Sequence, residues 1–203
     1  FHAYDLWEHS LRTLGETEAD LPLRWAALLH DSGKPRAATH DPDGTSHFKG
    51  HAVISAGIAE QIMLRLKQPR ALRDLVVTLV RFHDDRVGPD NLKRSLNRLG
   101  PEVGLKLLKL QHADALAHAP QVAAEAHKIT ALYEKAEALI ASGSCLFLKD
   151  LAIDGQDLMR LGYQEGAALG RTLNYLLDQV LSGYLDNDRE RLLAAARSLL
   201  ARA

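Results

Sequence analysis

The sequence predicts an all-α protein, and three observations carry that expectation. Leu, Ala, Arg, Lys and Glu dominate a chain in which only 5% of residues are aromatic, a composition rich in strong helix formers. Apolar residues recur at three- and four-residue steps over most long stretches, the period of a helix that buries one face. Glycine and proline cluster at the joints between those stretches.

The elements follow in chain order. His9 falls one turn after Leu6, and the run Ala26-Ala27-Leu28-Leu29 closes on His30-Asp31 before a break at Gly33-Lys34-Pro35. Asp41-Pro42-Asp43-Gly44 reads as a turn, and His51 leads a stripe through Ile54, Ile58 and Ile62. Leu75 to Val80 is β-branched enough to suggest a strand. Phase decides for a helix, because Leu72, Leu75, Val76, Leu79, Val80 and His83 keep one stripe and Pro69 suits a helix start. After breaks at Gly88-Pro89 and Gly100-Pro101, Val103, Leu107, Leu110 and Asp114 share a helical face, and Pro120 ends that stretch. Ile129, Leu132, Tyr133, Ala136, Leu139 and Ile140 form the next stripe, opposite Lys128, Glu134, Lys135 and Glu137. Ser142-Gly143-Ser144 is the expected internal boundary, giving domains 1–141 and 142–203. Two more stripes complete the chain: Leu169, Leu173, Leu176, Leu177, Val180, Leu181 and Tyr184, then Leu192, Leu193, Ala196, Leu199 and Leu200.

Composition narrows the function classes. With 203 residues, 46% hydrophobic, the chain fills one good-sized core or two small ones, and its net charge of −1 lacks the overall basic excess of a dedicated nucleic-acid binder. Charge by segment differs: Arg65 to Lys109 holds eleven Lys and Arg against five Asp and Glu, enough for a local phosphate-binding face or simply for a solvated helix surface. Cys145 is the one cysteine, which excludes an internal disulfide and a CxxC zinc ribbon and fits a reducing, cytoplasmic setting. No apolar run is long enough to span a membrane, and the opening residues lack the pattern of a signal peptide. The chain does not start with Met, as expected of a processed chain or an excised fragment. Nothing in the sequence sets an oligomeric state.

Ionisable side chains interrupt the inward stripes at His9, His30-Asp31, His51, His83 and Asp114. Burying such groups is costly unless they are paired, and imidazoles and carboxylates converging from several helices are most simply satisfied by a metal ion. Adjacent His30 and Asp31 point about 100° apart on a helix, so both reach one ion only at a helix end. Lys34 follows closely enough to donate to a phosphoryl oxygen beside that ion. His47 is a candidate phosphate contact or a loop residue, and His118, one turn beyond Asp114, is a reserve ligand. His2, His40, His112 and His127 read as surface or packing residues, and Trp7, Trp25, Phe48 and Phe82 as core.

The order His9, His30-Asp31, Lys34, His51, His83, Asp114 resembles the signature of HD-domain metal-dependent phosphohydrolases. The stretches Tyr4 to Leu11, Ala27 to Pro35 and His47 to His51 look like the HD region of bacterial CCA-adding tRNA nucleotidyltransferases and their poly(A) polymerase relatives. Leu148-Lys149-Asp150-Leu151, Gly155-Gln156-Asp157-Leu158, Gly162, Leu169-Gly170 and Asn187 are similar to the helical tail of those proteins. The polymerising head of that family, a Gly-rich strand-turn with paired carboxylates, has no counterpart here. Asp41-Pro42-Asp43 and Asp186-Asn187-Asp188 have carboxylate-pair spacing in turn-like or capping contexts.

The resemblance implies an HD-domain helical bundle with a C-terminal helical extension. It also implies one or two divalent ions held by His9, His30, Asp31, His51, His83 and Asp114, with Asp31 bridging. Mixed imidazole and carboxylate donors suit Mn, Fe, Co, Ni or Zn more than Mg. The expected activity is hydrolysis of phosphomonoesters or a 2′,3′-cyclic phosphate, with Asp31 and Lys34 catalytic and Lys34, His47, Arg94 and Arg98 contacting a phosphate-ester, nucleotide or RNA substrate. The alternatives are a tRNA-binding module whose HD site is structural or vestigial, and a nucleotidase acting on free nucleotides.

Overall fold

In a computed structural model, residues 5–118 and 125–201 are described. The expected break at Pro120, the expectation for His2, and Tyr4 lie outside them. The all-α expectation holds: eleven α-helices and one 3-10 turn are joined by a single two-stranded ribbon among the described residues. The chain divides into two compact units, described separately here. The first runs to Arg86 and resumes over Glu102–Glu134; the second takes Val87–Pro101 and resumes at Lys135. This is not the contiguous 1–141 and 142–203 division expected from the Ser-Gly-Ser break.

The first unit is built on α1 (Leu6–Glu16), α2 (Leu21–Leu29), α3 (Lys34–Ala37), α4 (His51–Arg65), α5 (Arg70–Phe82) and α7 (Pro101–Ala117), with the start of α8 (Ala126–Ala141). Asp5 and Asp20 cap α1 and α2, their carboxylates accepting from the backbone N–H of Glu8 and Leu23. The apolar bed consists of Leu23, Ala26, Ala27, Val76, Leu79, Val80, Leu107 and Leu110, each at most 1% exposed. The Leu75–Val80 stretch is helical, as phase requires.

Four details depart from expectation. The deep face of α4 is Ala52, Ser55, Ala56, Ala59 and Met63, while Ile54, Ile58 and Ile62 are half-buried, because small side chains let this helix approach its neighbours closely. Gly33-Lys34-Pro35 starts the short α3 instead of only ending α2, with Pro35 in the first turn, where its missing N–H costs nothing. Thr39–His40 and Ser46–His47 pair as an antiparallel ribbon across the Asp41–Gly44 turn. Trp7 is 64% exposed, since α1 turns His9, Ser10 and Thr13 inward and leaves residue 7 on the other side.

The second unit holds α6 (Leu92–Leu99), the second half of α8, a 3-10 turn (Leu148–Asp150), α9 (Gly155–Arg160), α10 (Ala167–Leu181) and α11 (Arg189–Leu200). Residues 87–101 belong here because α6 buries Leu92 and Leu96, Asn97 donates to the Leu146 carbonyl at 2.7 Å, and Arg94 pairs with Asp178 on α10. Tyr184 lies beyond the end of α10 and is 80% exposed, so it leaves the stripe predicted for it. Asp157 receives both arms of the Arg189 guanidinium at 2.7 and 2.6 Å, plus Arg160 at 3.0 Å. Arg189 thereby holds the Asp157 carboxyl below the usual range, at about 2.

Two consequences are testable. Because the folded pKa of Asp157 lies below its unfolded value, its stabilisation is complete above pH 4 and is lost as pH falls toward 2. Wild type should therefore be more stable than Asp157→Asn to urea at pH 6, and the difference should shrink between pH 4 and 2; a constant difference would contradict the pair. In the first unit, a Cβ on Gly33 would meet the His51 carbonyl oxygen at 2.5 Å and the Ser55 nitrogen at 2.6 Å, both backbone atoms. Gly33→Ala should cost about 1–3 kcal/mol and speed amide exchange at the first turn of α4.

Candidate metal centre

Six side chains from five elements meet at one place in the first unit. His9 comes from α1, His30 caps the end of α2, Asp31 follows it, His51 opens α4, His83 caps the end of α5, and Asp114 lies on α7. The helix ends explain how neighbouring His30 and Asp31 both reach inward. His9, His30, Asp31, His51 and His83 are between 1% and 7% exposed.

Asp31 divides the cluster into two donor sets. Around its Oδ2, His30 Nε2 lies at 3.2 Å and His9 Nε2 at 3.6 Å. Asp114 Oδ1 closes that set at 2.9 Å from His9 Nε2 and 3.3 Å from His30 Nε2. Around Asp31 Oδ1, His51 Nε2 lies at 3.2 Å and His83 Nε2 at 3.5 Å, with the two imidazole nitrogens 3.1 Å apart. Donor atoms of His9, His30 and Asp31, and of Asp31, His51 and His83, fall within 4.8 Å of one another.

The rings are oriented from behind. Nδ1 of His30 donates to the Ala27 carbonyl at 2.7 Å, that of His51 to Phe48 at 2.9 Å, and that of His83 to Val80 at 2.7 Å. In this tautomer, assigned from those bonds, each ring when neutral presents its Nε2 lone pair to the cluster. Lone pairs 3.1 Å apart on His51 and His83 repel unless a proton or cation lies between them. His30 Nε2 and Asp31 Oδ2 are sealed from solvent and complete no hydrogen bond of acceptable geometry. The donor set therefore fits a divalent cation.

Electrostatics agree. Burial opposes a charged His30, but the carboxylates of Asp114 and Asp31 outweigh it and lift its pKa to about 10. Burial also opposes ionised Asp31 and Asp114, yet His30, His51 and His83 hold Asp31, and His30 and His9 hold Asp114, far below the usual carboxylate range. Asp31 raises His51.

The other predicted site residues divide. Lys34 is at the rim, its ammonium 2.6 Å from Asp31 Oδ2 and 5.8 Å from the Phe48 ring centre. His47 stands on the exposed ribbon and pairs with Asp41 at 2.7 Å, so it does not join the six. Arg94 and Arg98 fall in the second unit, and the Arg94 fork is committed to Asp178 at 3.0 and 2.9 Å. Sequence reasoning missed two supports. Gln111 donates to the carbonyls of His83 and Asp85 at 2.9 and 2.7 Å, and Ser55 Oγ accepts from the Gly33 N–H at 2.8 Å. The place of Gln111 one turn before Asp114 was the available signal. A separate cavity of about 260 Å³, lined by Leu23, Leu108, Lys109 and Tyr133 among others, includes none of the six.

Comparison with known proteins gives the chain its relatives. It is 31% identical to the A-adding tRNA nucleotidyltransferase of Deinococcus radiodurans over 198 residues, 94% of this chain and 46% of that protein. It is 32% identical to the CC-adding tRNA nucleotidyltransferase of Thermus thermophilus over 204 aligned residues, 93% of this chain and 44% of that protein. A multifunctional CCA protein from an Azoarcus species is 41% identical over 85 residues, 39% of this chain and 19% of that protein. The chain thus spans about half the length of the first two relatives. A family profile described as "tRNA nucleotidyltransferase domain 2 putative" matches residues 52–196, taking in His83 and Asp114 and beginning just after His51. With most of its length matched, the chain belongs to the family of tRNA nucleotidyltransferase domain 2.

Proposed function

We propose that this chain is the tRNA-binding helical region of a tRNA nucleotidyltransferase-like protein. The supporting observation is its alignment, over more than nine tenths of its length, with an A-adding and a CC-adding tRNA nucleotidyltransferase. Phosphate contacts would come from Lys and Arg side chains of the Arg65–Lys109 stretch. Within that stretch Arg70 and Arg73 pair with Asp74, Arg94 with Asp178, Lys106 with Asp20 and Lys109 with Glu18. No helix among the described residues is long and apolar enough to cross a membrane.

The donor cluster supports a second reading for the same chain, metal-dependent phosphohydrolysis of the HD type. His9, His30, Asp31 and Asp114 would hold one divalent ion, and Asp31, His51 and His83 would supply donors for a second. Such ions lower the pKa of a coordinated water toward neutrality and polarise phosphoryl oxygens. The protein's part is positional. Asp31 holds the Lys34 ammonium at the rim, ready to donate to a non-bridging oxygen of an incoming phosphate, where charge develops in the transition state. The buried histidines exclude bulk water from one side, and the Asp114 carboxylate, its side chain 28% exposed, marks the open side. The substrate class is a phosphomonoester, a 2′,3′-cyclic phosphate or a free nucleotide.

Substitutions separate the two readings. Filter binding of the full chain to tRNA should be salt-sensitive. Lys93→Glu with Arg98→Glu, which leaves the Arg94–Asp178 pair intact, should flatten the log–log salt slope by about 1–2. Failure of wild type to bind tRNA more tightly than an unrelated RNA of equal length would overturn the first reading. Asp31→Ala should abolish hydrolysis of an aryl phosphate and of a 2′,3′-cyclic nucleotide while leaving tRNA binding within about twofold. Absence of hydrolysis by wild type loaded with Mn, Co or Ni would overturn the second.

A further inference from the structure

The ring of His118 is held in the same manner as the cluster histidines. Its Nδ1, which is 3.7 Å from Asp114 Oδ1, donates to the Asp114 backbone carbonyl at 2.7 Å, so the tautomer puts the lone pair on Nε2. His30, His51 and His83 show the same arrangement toward Ala27, Phe48 and Val80. Backbone-anchored rings of this kind are the usual form of metal-ligating histidine.

Position adds an independent argument. Asp114 lies in the last turn of α7 and His118 directly follows that helix, with its Nδ1 3.7 Å from Asp114 Oδ1. The His118 ring packs edge-on against His9, with centroids 4.5 Å apart. Donor atoms of His9, Asp114 and His118 lie within 4.8 Å of one another, a third such set beside the two that share Asp31. The side chains of His118 and Asp114 are 20% and 28% exposed, whereas those of His9, His30 and Asp31 are 3% or less. His118 therefore occupies the open side of the ion position that His9 and Asp114 help to form.

We propose that His118 is a further metal donor of this chain, acting with Asp114 and His9 at the solvent-facing rim of the centre. This inference rests on the metal-centre reading given under Proposed function. The competing role for a histidine at this place is purely a helix C-terminal cap, since its Nδ1–H already satisfies a last-turn carbonyl. The two roles differ in what must be retained: a cap needs only an N–H donor, whereas a ligand needs the imidazole Nε2.

The test is titration of the chelator-stripped full chain with Co(II) alone, read by calorimetry and by the visible absorption of the bound ion. His118→Ala removes both functions; His118→Gln keeps an amide N–H for the cap and removes the imidazole. Both variants should bind at least one Co(II) about tenfold or more weakly and shift its absorption bands. His118→Gln should also keep the metal-free melting temperature of wild type. Wild-type affinity and an unchanged spectrum in His118→Gln would overturn the proposal and leave His118 as a cap, with the metal-centre reading intact. If wild type itself takes up no Co(II), both the metal-centre reading and this inference are lost.

Discussion

A carboxylate withdrawn from water has to be compensated on the spot, and Asp31, 1% exposed, is the residue around which the first unit is arranged. Its two oxygens face His30, His9 and Lys34 on one side and His51 and His83 on the other. Those partners come from the ends of α2 and α5, the starts of α3 and α4, and the body of α1. Each helix is thus tied by one polar side chain to a point that none of them could bury alone. The apolar bed of Leu23, Leu79 and Leu110 supplies the bulk of the packing, but the Asp31 cluster fixes which helix ends meet.

The surrounding chain bears the marks of this constraint. Gly33 is needed because the turn after Asp31 runs against the backbone of α4, where a Cβ would strike His51 and Ser55. Small residues line the deep face of α4 for the same reason of close approach. Gln111 ties the segment after α5 to α7, one turn from Asp114. These supports orient the histidine rings, while Asp114 and Lys34 lie on the more exposed side of the cluster.

Much of this was legible in the sequence, and the reasons for success and failure are physical. Polar residues in phase with apolar stripes, such as His51, His83 and Asp114, announced themselves because burial without a partner is so unfavourable. The helical phase of Leu72 through His83 outweighed its β-branched composition, as it does when one face is buried. What failed depended on partners remote in sequence. The pairing of Arg94 with Asp178 and the membership of residues 87–101 in the second unit require contacts that no local pattern encodes. Trp7 and Tyr184 were misread as packed because hydrophobicity alone does not say which side of a helix, or which side of its last turn, a residue occupies. For Gln111, whose hydrogen bonds go to backbone carbonyls, the signal lay in its place one turn before Asp114 and not in its residue type.

The family profile covers only part of the donor cluster, taking in His83 and Asp114. The matched span begins at residue 52, after His9, His30, Asp31 and His51, so family membership does not itself carry the metal reading. That reading stands on geometry, and diffraction tests it most directly. Crystals of the full chain grown with Mn(II), with data collected on either side of the Mn absorption edge, should give anomalous peaks inside both donor sets, one among His9, His30, Asp31 and Asp114 and one among Asp31, His51 and His83. Peaks only at surface carboxylates, with no density between the Asp31 oxygens and the facing Nε2 atoms, would contradict it.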